Sequence, residues 1–169
     1  MNKDLEQNDL EPIDPPEKAY TYSGLVFSSQ VPWKVLLCGR VGPGDMGLVY
    51  TGHRVGPGES LDTWGRICRA MSQQVLRDAG LRIPTEAWSL VTALSLAPLK
   101  APGMVFYLYA QTERLSKARS KNPTKCMVSI EDPKSLPINT ASTLQWVIPF
   151  LLDPLVVKPP RLSSDAVVL

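Results

Sequence analysis

A chain of 169 residues with 44% apolar and 20% charged residues is long enough to bury a core and too apolar to remain unfolded. Its net charge of +2 is uneven: residues 1–19 carry six acids and two bases, and the rest of the chain carries sixteen bases against ten acids. A basic body behind an acidic arm suits an anionic partner. The three cysteines, Cys38, Cys68 and Cys126, have no C-x-x-C spacing. That argues against a disulfide framework or a structural zinc site and predicts a reducing, cytosolic compartment. The acidic N-terminus has no apolar h-region, and "WVIPFLLDPLVV" is broken by Pro149, Asp153 and Pro154, so neither a secretory signal nor a membrane span is expected.

In chain order, residues 1–22 read as a flexible acidic arm, 23–160 as a single globular domain and 161–169 as a frayed tail. "GLVFSSQVPWKVLLCGRV" is β-rich with a break at Pro32, and "GLVYTGHRV" is a further β-run. Between and after these runs, Val-Gly-Pro-Gly occurs twice, at 41–44 and 55–58. Gly42, Gly44 and Gly47 also spell G-x-G-x-x-G. A dinucleotide fingerprint needs a helix to start at the third glycine, whereas Gly47 opens a short glycine-rich β-run, and Pro43 removes an N–H from the loop. The repeat therefore reads as turns that fold 33–41 against 47–55.

Residues 60–80 predict an amphipathic helix. Leu61, Trp64, Cys68, Met71 and Val75 recur at 3–4 spacing with Ile67 beside them, and Arg66, Arg69, Gln73 and Arg77 take the other side. Ser60 is the expected N-cap and Gly80 the C-terminal stop. "TEAWSLVTALSLAPLKAPGMVFYLYAQ" reads as a hairpin turning at Pro102-Gly103, with a helix over 85–97 as the alternative. "CMVSI" is a short strand, and "STLQWVIPFLLDPLVV" a closing apolar segment. The fold class expected is α+β: an antiparallel sheet packed by one main helix.

Chemistry is harder to find. The single histidine, His53, lies where a Cys–His pair with Cys38 is conceivable across the hairpin, but no orienting acid lies near it in the sequence. No G-x-S-x-G, H-E-x-x-H or spaced acid cluster occurs. The expectation is of no enzyme, no catalytic residue, no metal and no cofactor. The basic run Arg114, Lys117, Arg119, Lys121 and Lys125 faces only Glu113 and reads either as a solvated loop or as a surface for membrane headgroups or RNA.

The stretch "LSLAPLKAPGMVFYLY" (94–109), with its Pro102-Gly103-Met104 turn and Tyr107-Leu108 strand behind the helix, resembles the matrix proteins of rhabdoviruses over roughly residues 23–112. The arm differs from the family's basic arms, and Pro15-Pro16-Glu17-Lys18-Ala19-Tyr20 departs from Pro-Pro-x-Tyr. The resemblance implies a virion structural protein of the host cytoplasm and inner membrane face that supports assembly and budding. Its partners would be itself in a head-to-tail oligomer, the nucleocapsid, an anionic membrane surface and RNA, with Pro15, Pro16, Tyr20 and Tyr22 anchoring self-association. The alternatives are a cytosolic nucleic-acid-binding or adaptor protein using its basic surface, and a small enzyme with an unrecognised site.

Overall fold

A computed structural model describes residues 19–41, 47–56, 63–96 and 103–153. Its elements are β1 (Ala19–Ser28), β2 (Val35–Val41), β3 (Leu48–Thr51), β4 (His53–Val55), α1 (Trp64–Ala79), β5 (Ser89–Leu96), β6 (Gly103–Thr112), β7 (Met127–Glu131) and α2 (Ser142–Leu152). β1 already takes in Ala19–Tyr22, residues that the sequence reading assigned to the arm.

The strands form one mixed sheet in the order β3-β2-β1-β6-β5. β1 runs parallel to β6 along its whole length, from Ala19↔Gly103 to Ser28↔Thr112. Its other edge is shared: β4 pairs antiparallel with Tyr22–Gly24, and β2 with Val26–Phe27. β2 in turn is bonded to β3 on one side and to β7 on the other. The expected antiparallel sheet with a single main helix is therefore corrected: the sheet is mixed, and a helix covers each face.

The two faces follow from strand alternation, since successive side chains point to opposite sides. Tyr22, Val26, Leu36, Phe106, Leu108 and Ala110 pack with Ile67, Cys68, Met71 and Val75 of α1. Leu25, Phe27, Val35, Leu37, Val105 and Tyr107 pack with Leu144, Val147, Ile148 and Leu151 of α2. Each such apolar side chain contributes about 1.5–3 kcal/mol on full burial. Among the described residues no helix is long and apolar enough to cross a membrane.

Local features agree with much of the sequence reading. β2 and β3 pair antiparallel (Cys38↔Thr51 to Val41↔Leu48), as the first turn requires, although Gly42–Met46 lie outside the described residues. β3 follows Gly47, where a dinucleotide fingerprint would need a helix to start. Within the 85–97 segment, a short 3-10 turn at Thr85–Ala87 leads into strand β5. α1 ends at Gly80, whose φ of 69° is left-handed and whose N–H bonds to the Leu76 carbonyl. The N-cap position is Thr63, and the expected cap Ser60 lies outside the described residues.

Gly24 in β1 sets how close α1 lies to the sheet. A Cβ there would collide with the Met71 thioether and stand 3.0 Å from the Trp88 ring. Gly24→Ala should therefore cost about 1–3 kcal/mol of stability through overpacking. Chemical denaturation is the check, and an unchanged midpoint would mean that Met71 swings aside freely.

Candidate functional site

The described chain contains one concentrated set of polar groups, built around Asp78 in the last turn of α1. The helix buries Ile67, Met71, Val75, Asp78 and Ala79 on one stripe, so the carboxylate is delivered into the sheet rather than to solvent. Its Oδ2 receives Arg40 Nη2 from β2 at 2.8 Å and lies 3.1 Å from His53 Nδ1 on β4. Its Oδ1 receives the Gln74 amide at 2.8 Å, one helical turn back. The site thus lies where β2 and β4 share the same edge of β1 and α1 closes over them.

Burial alone pushes the Asp78 carboxyl up. Hydrogen bonds from His53 and Gln74 and the charges of His53 and Arg40 outweigh this and hold it below the ordinary carboxylate value. His53 is fully buried, and its Nε2 has no partner. With a proton on Nδ1 the ring donates to Asp78, and Nε2 is left without a partner. Cys38 Sγ lies 3.8 Å from Asp78 Oδ2 and is joined to Cys126, which sits just ahead of β7. A disulfide sulfur has no proton to donate, so this approach is a packing contact.

The cluster corrects two expectations. The conceivable Cys38–His53 pairing does have an acid beside it, contributed from 25 residues further along the chain. The cysteines also do not all stand apart: Cys38 and Cys126 are bonded across 88 residues, and Cys68 remains free and buried on the α1 stripe, its thiol pushed up to about 12 by burial. One local signal for Asp78 did exist. It continues the 71, 75 progression of buried positions, where an acid is out of place unless paired.

The other singled-out residues lie elsewhere. Arg114, Lys117, Arg119, Lys121 and Lys125 are all exposed, on the segment between β6 and β7. That segment docks on the C-terminal end of α1, with Arg119 N–H donating to the Ala79 carbonyl and Lys121 N–H to that of Asp78. Positive charge is favoured at that end of a helix. Of the proposed self-association anchors, Pro15 and Pro16 lie outside the described residues, Tyr20 is half-buried in β1, and Tyr22 is 5% exposed and stacked on Phe106.

No family model matches the sequence, and no curated protein is similar to it. Solved structures are similar in fold. The NUDIX domain of Shewanella oneidensis NrtR, complexed with ADP ribose, matches with a TM-score of 0.55 at 11% identity, over 73% of this chain and 79% of that one. A MutT NUDIX hydrolase from Burkholderia pseudomallei matches at 0.57 and 12% identity, over 79% and 97%. A MutT/nudix family protein from Enterococcus faecalis matches at 0.55 and 13% identity, over 84% and 64%. The fold is the Nudix fold.

The Nudix fold overturns the matrix resemblance and, with it, the virion-assembly role, and it gives the alternative of a nucleic-acid-binding adaptor no better support. The aromatic strand that carried the resemblance is β6, which pairs antiparallel with β5, an arrangement that many folds contain, and Pro102 lies outside the described residues. The expectation of a non-enzymatic chain is likewise withdrawn, because hydrolases are built on this fold.

Phosphate hydrolysis is commonly served by a hard divalent cation held by oxygen ligands and water. The described residues do not fit one. The only group of three or more His, Cys, Asp or Glu among them is Cys38, His53 and Asp78. It is buried, supplies sulfur and nitrogen alongside a single carboxylate, and has Arg40 on the carboxylate oxygen. α1 has no acid in its first turn.

Proposed function

We propose that this domain hydrolyses a phosphoanhydride in a nucleotide derivative. One observation carries the reading: the mixed sheet between two helices matches Nudix structures, among them two named as hydrolase or MutT/nudix proteins and one complexed with ADP ribose.

Such a reaction needs positive groups to neutralise phosphate charge and a base for the attacking water. The exposed face of α1 carries Arg66, Arg69 and Arg77, and Arg54 is exposed on β4. The base falls first to Glu59 or Asp62, the acids that immediately precede α1 in the sequence. Their positions lie outside the described residues.

The test is phosphorus NMR of the full chain with magnesium and a panel containing ADP-ribose, nucleoside diphosphate sugars and nucleoside triphosphates. The expected result is cleavage between phosphorus atoms for at least one class. Glu59→Gln should then lower kcat by about 10²–10⁴-fold with little change in KM. If no compound is cleaved and none binds by calorimetry, the reading is wrong. Binding without cleavage would remove the hydrolase and leave a nucleotide-binding domain.

A further inference from the structure

The cluster that rejects a hard cation has the composition of a site for a softer one. Four ligand-bearing side chains converge from three elements and one loop: Cys38 from the middle of β2, His53 from β4, Asp78 from α1 and Cys126 from the loop just ahead of β7. Every one is at least nine-tenths buried, at 0%, 0%, 7% and 5% exposure respectively. The ligand atoms of Cys38, His53 and Asp78 already lie within 4.8 Å of one another, and the Cys126 sulfur is bonded to that of Cys38. A tetrahedral zinc site with ordinary Zn–S, Zn–N and Zn–O distances separates its ligand atoms by roughly 3.3–3.8 Å. The Cys38–Asp78 approach of 3.8 Å and the His53–Asp78 approach of 3.1 Å are close to two edges of that tetrahedron.

We propose that, in its reduced form, the chain holds one zinc ion between Cys38, Cys126, His53 and Asp78.

The charges support this assignment. Two thiolates, one carboxylate and a neutral imidazole around Zn²⁺ carry a net charge of −1. Arg40, 2.8 Å from the Asp78 carboxylate, brings the group to neutrality, which a buried site requires. Gln74 holds the other carboxylate oxygen and orients it, the role that outer hydrogen bonds play around metal ligands. His53 makes no hydrogen bond through Nε2, and its Nδ1, now 3.1 Å from Asp78 Oδ2, would exchange that hydrogen bond for a bond to the metal. The mixed thiolate and imidazole donors favour zinc over magnesium or calcium. Cys68 is not among the cluster's ligands and serves as an internal control.

Metal and disulfide exclude each other, because both use the same two sulfurs. A dithiol reductant supplies two electrons and two protons to the Cys38–Cys126 bond and itself closes to a cyclic disulfide. Zinc then displaces the two thiol protons. In reverse, hydrogen peroxide takes two electrons from the thiolate pair, consumes two protons to give two waters, and releases one Zn²⁺ per disulfide formed. The site would lock β2, β4, β7 and α1 together in either state and report the redox balance through zinc release.

The experiment uses the full chain purified with and without a dithiol reductant. Elemental analysis should give one zinc per reduced chain and none per oxidised chain. Cobalt substituted into the reduced protein should show the visible bands of a tetrahedral ion with thiolate-to-metal charge transfer. Cys126→Ser should weaken cobalt binding at least tenfold, and Cys68→Ser should leave it unchanged. Peroxide titration of the wild type should release one zinc per two thiols lost, a readout that does not depend on any variant folding. Reduced protein that retains no metal and gives no tetrahedral cobalt spectrum overturns the proposal. So does bound zinc that survives oxidation of Cys38 and Cys126, or whose affinity is unchanged in Cys126→Ser, since the ion would then be held elsewhere.

Discussion

Trp88→Ala should lower the unfolding free energy by about 3–5 kcal/mol, the usual cost of truncating a large buried aromatic side chain. Trp88 is 1% exposed and belongs to the core cluster under α1. Its ring approaches Gly24 on β1, and its indole N–H donates to Ser72 Oγ on α1 at 2.9 Å. The side chain therefore joins the start of β5 to the central strand and the helix at once. Trp88→Phe should cost less, because it keeps most of the apolar contact and strands only a half-buried hydroxyl that water can reach. Urea melts of both variants, with unchanged m-values, would confirm the order. A loss under about 1 kcal/mol for the alanine variant would mean that the face under α1 is not a tightly packed core.

That core was partly legible. The α1 stripe, its glycine stop and the antiparallel β5–β6 pair all follow from local patterns, because each depends on residues close in the sequence. The parallel β1–β6 pair does not. Its partners lie about 84 residues apart, and nothing in either segment encodes the pairing. Strands buried on both faces also lose the alternation that marks a half-exposed sheet, and Leu25-Val26-Phe27 and Val35-Leu36-Leu37-Cys38 run on without a polar break.

α2 was hidden for a different reason. Pro149 reads as a helix breaker, yet it lies inside Ser142–Leu152, near the C-terminal end. Trp146 and Phe150 occupy exposed positions of that helix, so no polar face sets off the apolar one. Without α2 only α1 is left to cover the sheet, which is the one-helix α+β layout that the local patterns suggest. The polar cluster was hidden by distance: residues 38, 53, 78 and 126 have no spacing that a motif search would join. A buried acid on α1 was the one visible clue, and its meaning depends on Arg40 and His53 arriving from strands whose pairing the sequence leaves open.

Asp78→Ala, studied in the disulfide form so that no metal can contribute, should be the second severe substitution. Removing one partner of a buried ion pair typically costs about 3–5 kcal/mol, because the other charge is left unpaired. Here the lower end applies, since the Arg40 side chain is 36% exposed and can recover some hydration, whereas that of Asp78 is only 8% exposed. His53 would lose its only hydrogen-bond partner among the described residues, and the Gln74 amide would also be released. Asp78→Asn separates charge from shape: it keeps the volume and an acceptor for Gln74 or His53, but gives Arg40 no counter-charge. It should lose less than the alanine variant. Arg40→Met alone should also destabilise, by leaving a buried carboxylate with only His53 and Gln74. In the Arg40→Met/Asp78→Ala double variant no unpaired charge remains, so its loss should fall well short of the sum of the single losses. A double-mutant cycle from urea midpoints reads this directly. Additive losses would show that Arg40 and Asp78 stabilise the fold independently, and that the 2.8 Å contact between them carries little coupling.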